Sequence, residues 1–254
     1  LRTQPPLILE VPQDDLGGAS GARRFYVLAV GKRNSEDYPY TVANEKIASE
    51  LGRAIGLRIP EVVLHRLRDE YHAFAYYIIE TESGETVPEG TAAEIADFYQ
   101  ANPADLHGMV CFDLFICNND RKPDNLVIGK DKKVWLIDHA NSLFYRPTGS
   151  VKPGIPRLIA VEHDLRAMFD KPHGFIKALH SWEYTDMWCA RISQIPSHFI
   201  RSIIDNLPNG ILNEEERGFL FEFLERRKKN MQNMIGRHRS IFAELGDRGV
   251  KDDE

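Results

Sequence analysis

The sequence predicts an α+β fold in two lobes, a small antiparallel-sheet N-lobe over residues 1–82 and a mainly helical C-lobe over residues 83–254. Three observations predict it. Residues 7–80 hold several short, β-favouring apolar runs and one helical stretch. From residue 91 onward, apolar residues recur at helical spacing almost to the end. That helical half is interrupted once, over residues 116–139, by a polar loop, two apolar runs and an acid.

In the N-lobe, Leu7-Ile8-Leu9-Glu10-Val11 reads as a strand and Phe25–Val30 as the next. The loop between them, residues 12–24, contains Gly17-Gly18-Ala19-Ser20-Gly21. A glycine-rich link between two strands lets backbone amides approach phosphates, although most such loops merely turn the chain. Asn44-Glu45 opens a helix through Leu57, with Ile47, Ala48, Leu51, Ala54 and Ile55 on one face and Gly56 and Pro60 closing it. Residues 61–66 and 71–80 read as two more strands, and residues 81–90, with Gly84, Pro88 and Gly90, as the linker between lobes.

In the C-lobe, Thr91-x-x-Glu94 fits a capping box, and a helix over residues 104–117 runs into the polar loop. Residues 147–156, with three prolines and two glycines, form a loop, and His163-Asp164 reads as a helix start. Asn213-x-x-Glu216 caps a final helix whose inner face carries Phe219, Leu220, Phe223, Leu224, Met231, Met234 and Ile235. Glu225-Arg226-Arg227-Lys228-Lys229 reads as its solvated face, and residues 246–254 as a frayed charged tail.

The 116–139 segment carries the chemistry. Leu126-Val127-Ile128 and Val134-Trp135-Leu136-Ile137 are apolar runs joined by the polar, turn-rich residues 129–133, which predicts a β-hairpin. The loop before the hairpin and the residue after it then emerge at the same end. Asp120, Asn125 and Asp138 therefore converge. Transfer of a phosphoryl group from Mg-ATP needs a carboxylate near the attacking hydroxyl, and an amide oxygen and a second carboxylate to hold the metal. Singly, these acids are ordinary turn formers. Asp124 and Asp131 read as solvated turn residues.

The Asp-Arg-x-x-x-Asn loop, followed by a strand pair ending in Ile137-Asp138-His139, resembles the catalytic and metal-binding loops of HipA-like kinases, and is similar in layout to phosphatidylinositol 3- and 4-kinases. The His-Arg-Asp and Asp-Phe-Gly wording of common protein kinases is absent. The resemblance implies a protein-kinase-like fold, ATP and Mg²⁺ as cofactors, and transfer of the γ-phosphate to a protein Ser/Thr hydroxyl. A phosphoinositide kinase and a nucleotide-binding interaction module are the alternatives. It implies Asp120 as catalytic base, with Arg121 beside it as a structural or phosphate-neutralising group, and Asn125 and Asp138 as metal ligands. Gly18, Ser20 and Gly21 would cover the phosphates, with Ser20 also a candidate phosphorylation site. The family places a lysine in the following strand, where this chain has Ala29 in Tyr26-Val27-Leu28-Ala29. Lys32, just past Gly31, either substitutes for it or is a solvated loop lysine. Glu45, ahead of Glu50, is the candidate partner for that lysine; otherwise it favours the positive helix N-terminus. An antitoxin-like protein partner is a further implication; the protein substrate is not named by any motif.

Composition excludes several classes. A net charge of −6 argues against bulk nucleic-acid binding. No stretch approaches the roughly 18 apolar residues of a membrane span, and no secretory start precedes the first strand. Cys111, Cys117 and Cys189 lack zinc-type spacing and read as buried thiols of a reducing, cytoplasmic compartment. None of the nine histidines forms a His-Glu-x-x-His pair, which argues against a zinc hydrolase; His139 is expected to orient its loop by hydrogen bonds.

Overall fold

The computed structural model describes residues 8–15, 23–27, 29–76, 97, 99–129, 131, 133–145, 152–168, 173–242 and 245. Gly18, Ser20 and Gly21 lie outside them, as do the 81–90 linker with the lobe boundary at 82, the Thr91 capping box and the 246–254 tail.

The described chain is α+β. β1 (Ile8–Asp15) and β2 (Arg23–Val27) pair antiparallel, Leu9 opposite Tyr26. β3 (Ala29–Arg33), β4 (Val62–Leu67) and β5 (Glu70–Tyr76) form an antiparallel sheet in the order β3-β5-β4, with Lys32 opposite Ala73 and Val62 opposite Ala75. The expected single strand over Phe25–Val30 is thus divided between two sheets. Gly31, just beyond the end expected for that strand, sits in the middle of β3. It faces Phe74 so closely that a Cβ there would lie 2.7 Å from the ring. Glycine is required by the cross-strand aromatic, and the strand continues through it to Lys32.

Helix α1 (Thr41–Ala54) packs on this sheet through Ile47, Ala48 and Leu51. α2 (Pro103–Phe115) leads into the polar loop, with proline in its first turn, where the missing N–H costs nothing. The predicted hairpin is present as β6 (Leu126–Ile128) and β7 (Val134–Leu136), Leu126 opposite Leu136. α3 (Ile155–His163) starts inside the segment expected to be a loop, because Pro156 falls in its first turn. His163 ends this helix, and Asp164 opens the short 3₁₀ helix Leu165–Met168, its Oδ1 accepting from Arg166 N–H at 2.9 Å. α4 (Trp182–Ser193), α5 (Ser197–Asp205) and α6 (Glu214–Arg237) complete the helical part. The capping box at α6 is formed: Glu216 N–H donates to Asn213 Oδ1 at 2.9 Å, and Asn213 N–H to Glu216 Oε2 at 2.8 Å.

One continuous apolar core runs from α1 through α2 to α6, joining Ile47, Leu51, Phe112, Phe115, Leu220 and Phe223. The charged run on α6 is a correction to the solvated-face expectation: Glu225, Arg227 and Lys228 are buried. Arg227 donates to the carbonyls of Leu114 and Val161, in the last turns of α2 and α3, so two helix C-termini share its charge. Lys228 pairs with Glu225 at 2.6 Å and donates to Ile195 O. Among the described residues, no helix is long and apolar enough to cross a membrane. Cys111, Cys117 and Cys189 are buried free thiols, as expected.

Candidate active site

Residues two apart in a strand point to the same side. Val30 and Lys32 of β3 therefore share a face, and Ala29 faces the other way. Lys32, and not Ala29, is therefore the β3 residue on the side of α1 and of the loop after β7. Lys32 Nζ lies 2.5 Å from Glu45 Oε1 on α1 and 2.8 Å from Asp138 Oδ1 after β7. Burial works against the ammonium, but the charges of Glu45 and Asp138 outweigh it and raise the Lys32 pKa. Burial also works against the Asp138 carboxylate, yet Lys32 holds it below its usual range. Glu50 takes no part in this cluster; it pairs with Lys46 one turn along the helix.

Asp138 sits at φ +57°, a left-handed conformation that aspartate tolerates better than most side chains. The turn it makes is held from α1. His139 N–H donates to Glu45 Oε1 at 3.2 Å, and Asn44 Nδ2 donates to Ala140 O at 2.8 Å. His139 itself is buried edge-on to Phe112, its Nε2 has no partner among the described residues, and burial pushes its pKa down to about 3. The ring packs as a neutral group, and the turn is held at the His139 and Ala140 backbone by the side chains of Glu45 and Asn44.

The second half of the site is the 118–125 loop. Asn125 Nδ2 donates to the Asp120 carbonyl at 2.6 Å, which turns its Oδ1 away from that contact. The Ile137 amide donates to Asn125 O at 3.0 Å, so Asn125 is fixed beside the residue preceding Asp138. The Asp120 carboxylate accepts from Asn141 Nδ2 at 2.7 Å. Asp124 and Asp131 are exposed, Asp131 pairing with Arg58.

Arg121, grouped with Asp120 as catalytic by the sequence, is corrected by its burial. Its side chain has no solvent exposure. It donates from Nε and Nη2 to both oxygens of Asp113, and from Nη1 to the carbonyls of Asn125 at 3.0 Å and Ile137 at 2.8 Å. Of the two roles left open for it, the geometry selects the structural one: Arg121 clamps the polar loop to the end of β7. Asp113, on α2, also accepts from Asn118 Nδ2 at 2.8 Å and contacts His173 Nε2 at 3.2 Å. Burial opposes its charge, and Arg121 nevertheless holds its carboxyl well below the usual range. Asp113 and Asn141 were not singled out by the sequence, and Asn44 only as the opening of its helix, which in fact begins at Thr41. The one available signal was an acid inside the apolar run Phe112-Asp113-Leu114.

Among the described residues, no group of three or more His, Cys, Asp or Glu side chains forms a metal cluster. The Asn125 and Asp138 pair, one amide and one carboxylate on adjoining backbone, is a donor set that suits Mg²⁺, which also keeps water and phosphate oxygens as ligands. Behind Lys32 lies an apolar recess lined by Val30, Val62, Ala75, Leu136 and Ile137, with a volume of about 10 Å³. That is room for about one water.

No protein-family model and no curated protein matches the chain. Solved structures do. The proinflammatory kinase CtkA of Helicobacter pylori superposes with a TM-score of 0.57 at 15% identity, over 94% of this chain and 97% of that one. HipA of the Shewanella oneidensis MR-1 toxin–antitoxin system, in complex with HipB and operator DNA, gives 0.51 at 14% identity, over 98% of this chain and 67% of that one. The fold is that of the HipA-like kinases. At such identities the likeness extends to the fold alone. Within this HipA-like fold, β3, α1 and the loop after β7 bring Lys32, Glu45 and Asp138 together, and Arg121 joins the 118–125 loop to the same place.

Proposed function

We propose that the chain is an ATP- and Mg²⁺-dependent kinase of HipA-like type, built as two lobes, that transfers the γ-phosphate to a protein Ser/Thr hydroxyl. The observation that carries this reading is the simultaneous pairing of Lys32 with Glu45 and Asp138. A cation tied to one buried carboxylate keeps its charge and direction, and so can hold phosphate oxygens once Asp138 turns to the metal. Asp138 and the Oδ1 of Asn125 would hold Mg²⁺, which when bound neutralises charge on the phosphates. Asp120 would orient the acceptor hydroxyl and take its proton as the new phosphate ester forms and ADP leaves. Arg121 keeps Asp120, Asn125 and Asp138 in one frame without touching the substrate. Positioning and charge neutralisation account for most of the acceleration in this class of reaction.

The non-catalytic module was favoured by the lysine missing at Ala29; the pairing of Lys32 with Glu45 and Asp138 supports the kinase reading instead. An antitoxin-like partner remains a proposal, supported by the HipB complex of the Shewanella protein; purification with the product of an adjoining gene tests it. The buried free thiols suit a reducing cytoplasm.

The test combines a thermal-shift titration with Mg-ATP and a γ-phosphate transfer assay offering protein substrates and, separately, phosphoinositide vesicles. Transfer to Ser/Thr that disappears in Asp138→Ala is expected. Full transfer by that variant would show the assignment to be wrong. Mg-ATP binding without turnover by the unaltered chain would return the module reading, and transfer to the vesicles alone the lipid-kinase one.

A further inference from the structure

Asn141 lies three residues beyond Asp138, on the turn that the α1 contacts hold in place. Its Nδ2 donates to Asp120 Oδ2 at 2.7 Å. A carboxylate only accepts, so this contact requires the amide to present its NH₂ side to Asp120. The other end of the amide is left badly placed: Asn141 Oδ1 is buried with no hydrogen-bond partner among the described residues. Leaving a buried acceptor unsatisfied is destabilising. An apolar side chain of the same size would avoid that cost and fill the space equally well. What it would lack is the donor aimed at Asp120.

The turn is also anchored on both sides of Asn141. His139 O accepts from both Ser142 N–H, at 3.1 Å, and Ser142 Oγ, at 2.7 Å. Leu143 N–H donates to Ile116 O at 2.7 Å, and Arg157 then joins Leu143 O to Cys117 O. The amide is therefore delivered to Asp120 by a fixed backbone.

We infer that Asn141 is a positioning residue for Asp120: it holds Oδ2 of the carboxylate, so that Oδ1 is presented to the acceptor hydroxyl. This rests on the reading of Asp120 as the group that receives the hydroxyl. It also links the two halves of the site, since the residue that orients the base is carried on the same turn as the metal-binding Asp138. Asn141 touches neither phosphate nor acceptor in this role, and acts only through Asp120.

The test is a double-mutant cycle on the full chain, read as kcat and as KM for ATP. Asn141→Ala should lower kcat by roughly 10- to 100-fold, the scale of a misplaced reacting group, and leave KM for ATP unchanged. Asn141→Asp has the same shape but no donor, and should do no better than alanine. Both should keep the thermal shift given by Mg-ATP, which reports that they fold and bind. In an Asp120→Asn background, Asn141→Ala should cause no further loss, because the group it acts through has gone. Rescue of kcat by Asn141→Asp, a raised KM for ATP, or a loss that adds to that of Asp120→Asn would overturn the inference while leaving Asp120 as the base. Undiminished transfer by Asp120→Asn alone would instead remove the reading of the site, and this inference with it.

Discussion

Replacing Asp113 by Asn is expected to be the most damaging single change near the site that touches no candidate ligand. Asp113 and Arg121 are both fully buried, and the guanidinium binds both carboxylate oxygens, with Nε at 2.8 Å and Nη2 at 3.0 Å. Asparagine keeps the shape but removes the charge, and turns an NH₂ group toward donors that include Arg121, Asn118 and His173. Breaking a buried pair in this way leaves an uncompensated ion and costs about 3–5 kcal/mol. Against a total stability of about 5–15 kcal/mol, that is a large share. At about 2–4 °C per kcal/mol for a chain of this size, the melting temperature should fall by roughly 6–20 °C. Thermal unfolding followed by circular dichroism reads this directly. The double variant Asp113→Leu/Arg121→Met removes both charges and should be more stable than Asp113→Asn alone. It should still fail in phosphate transfer, because Asn125 O and Ile137 O lose the group that joins them. A melting temperature for Asp113→Asn within about 2 °C of the unaltered protein would refute the view that this pair holds the loop.

Three further outcomes are expected. Lys32→Met should reduce transfer on the order of 100-fold, since among the described residues no other cation is placed between Glu45 and Asp138; a rate near that of the unaltered protein would remove Lys32 from the site. Gly108→Ala should destabilise by about 1–3 kcal/mol in urea unfolding, because its Cβ would lie 2.4 Å from the Trp188 ring; a neutral effect would mean that α2 and α4 can slide apart. His139 gives an acid dependence whose sign follows from its depressed pKa. The folded state disfavours the proton, so full stability is present above pH 6.5 and is lost as pH falls toward about 3. Between pH 7 and pH 5 this one group should remove about 2 kcal/mol, and His139→Leu should flatten that part of the curve; an unchanged slope would show that the imidazole is not the group responsible.

The elements that the sequence made legible are those set by neighbours along the chain. The Leu126 and Val134 runs, with a turn between them, specify their hairpin wherever it packs. Asn213 and Glu216 form their capping box within one turn, and Leu220, Phe223 and Leu224 mark the inner face of α6 by spacing alone. That the backbone of Asn125 lies beside the residue preceding Asp138 follows from strand pairing, and the Ile137 amide donates to Asn125 O.

Other features were decided only by tertiary contacts. Gly31 reads as a break until Phe74 lies opposite it, and only then does β3 extend to Lys32 and place it on the same side as Val30. Arg227 and Lys228 read as solvated until the ends of α2 and α3 and the Glu225 carboxylate are packed against them. Asp113, hidden in an apolar helix, and Asn141, in an ordinary turn, acquire their roles from Arg121 and Asp120. By itself the sequence determined a β-β-α-β-β run followed by helices, with an acid–amide–acid loop among them, because propensity, periodicity and capping act over a few residues. The tertiary structure alone decided which cation faces that loop and which polar groups hold it. The energies of buried ion pairs and aimed hydrogen bonds depend on partners as far as 113 residues away in the chain and on the exclusion of water around them.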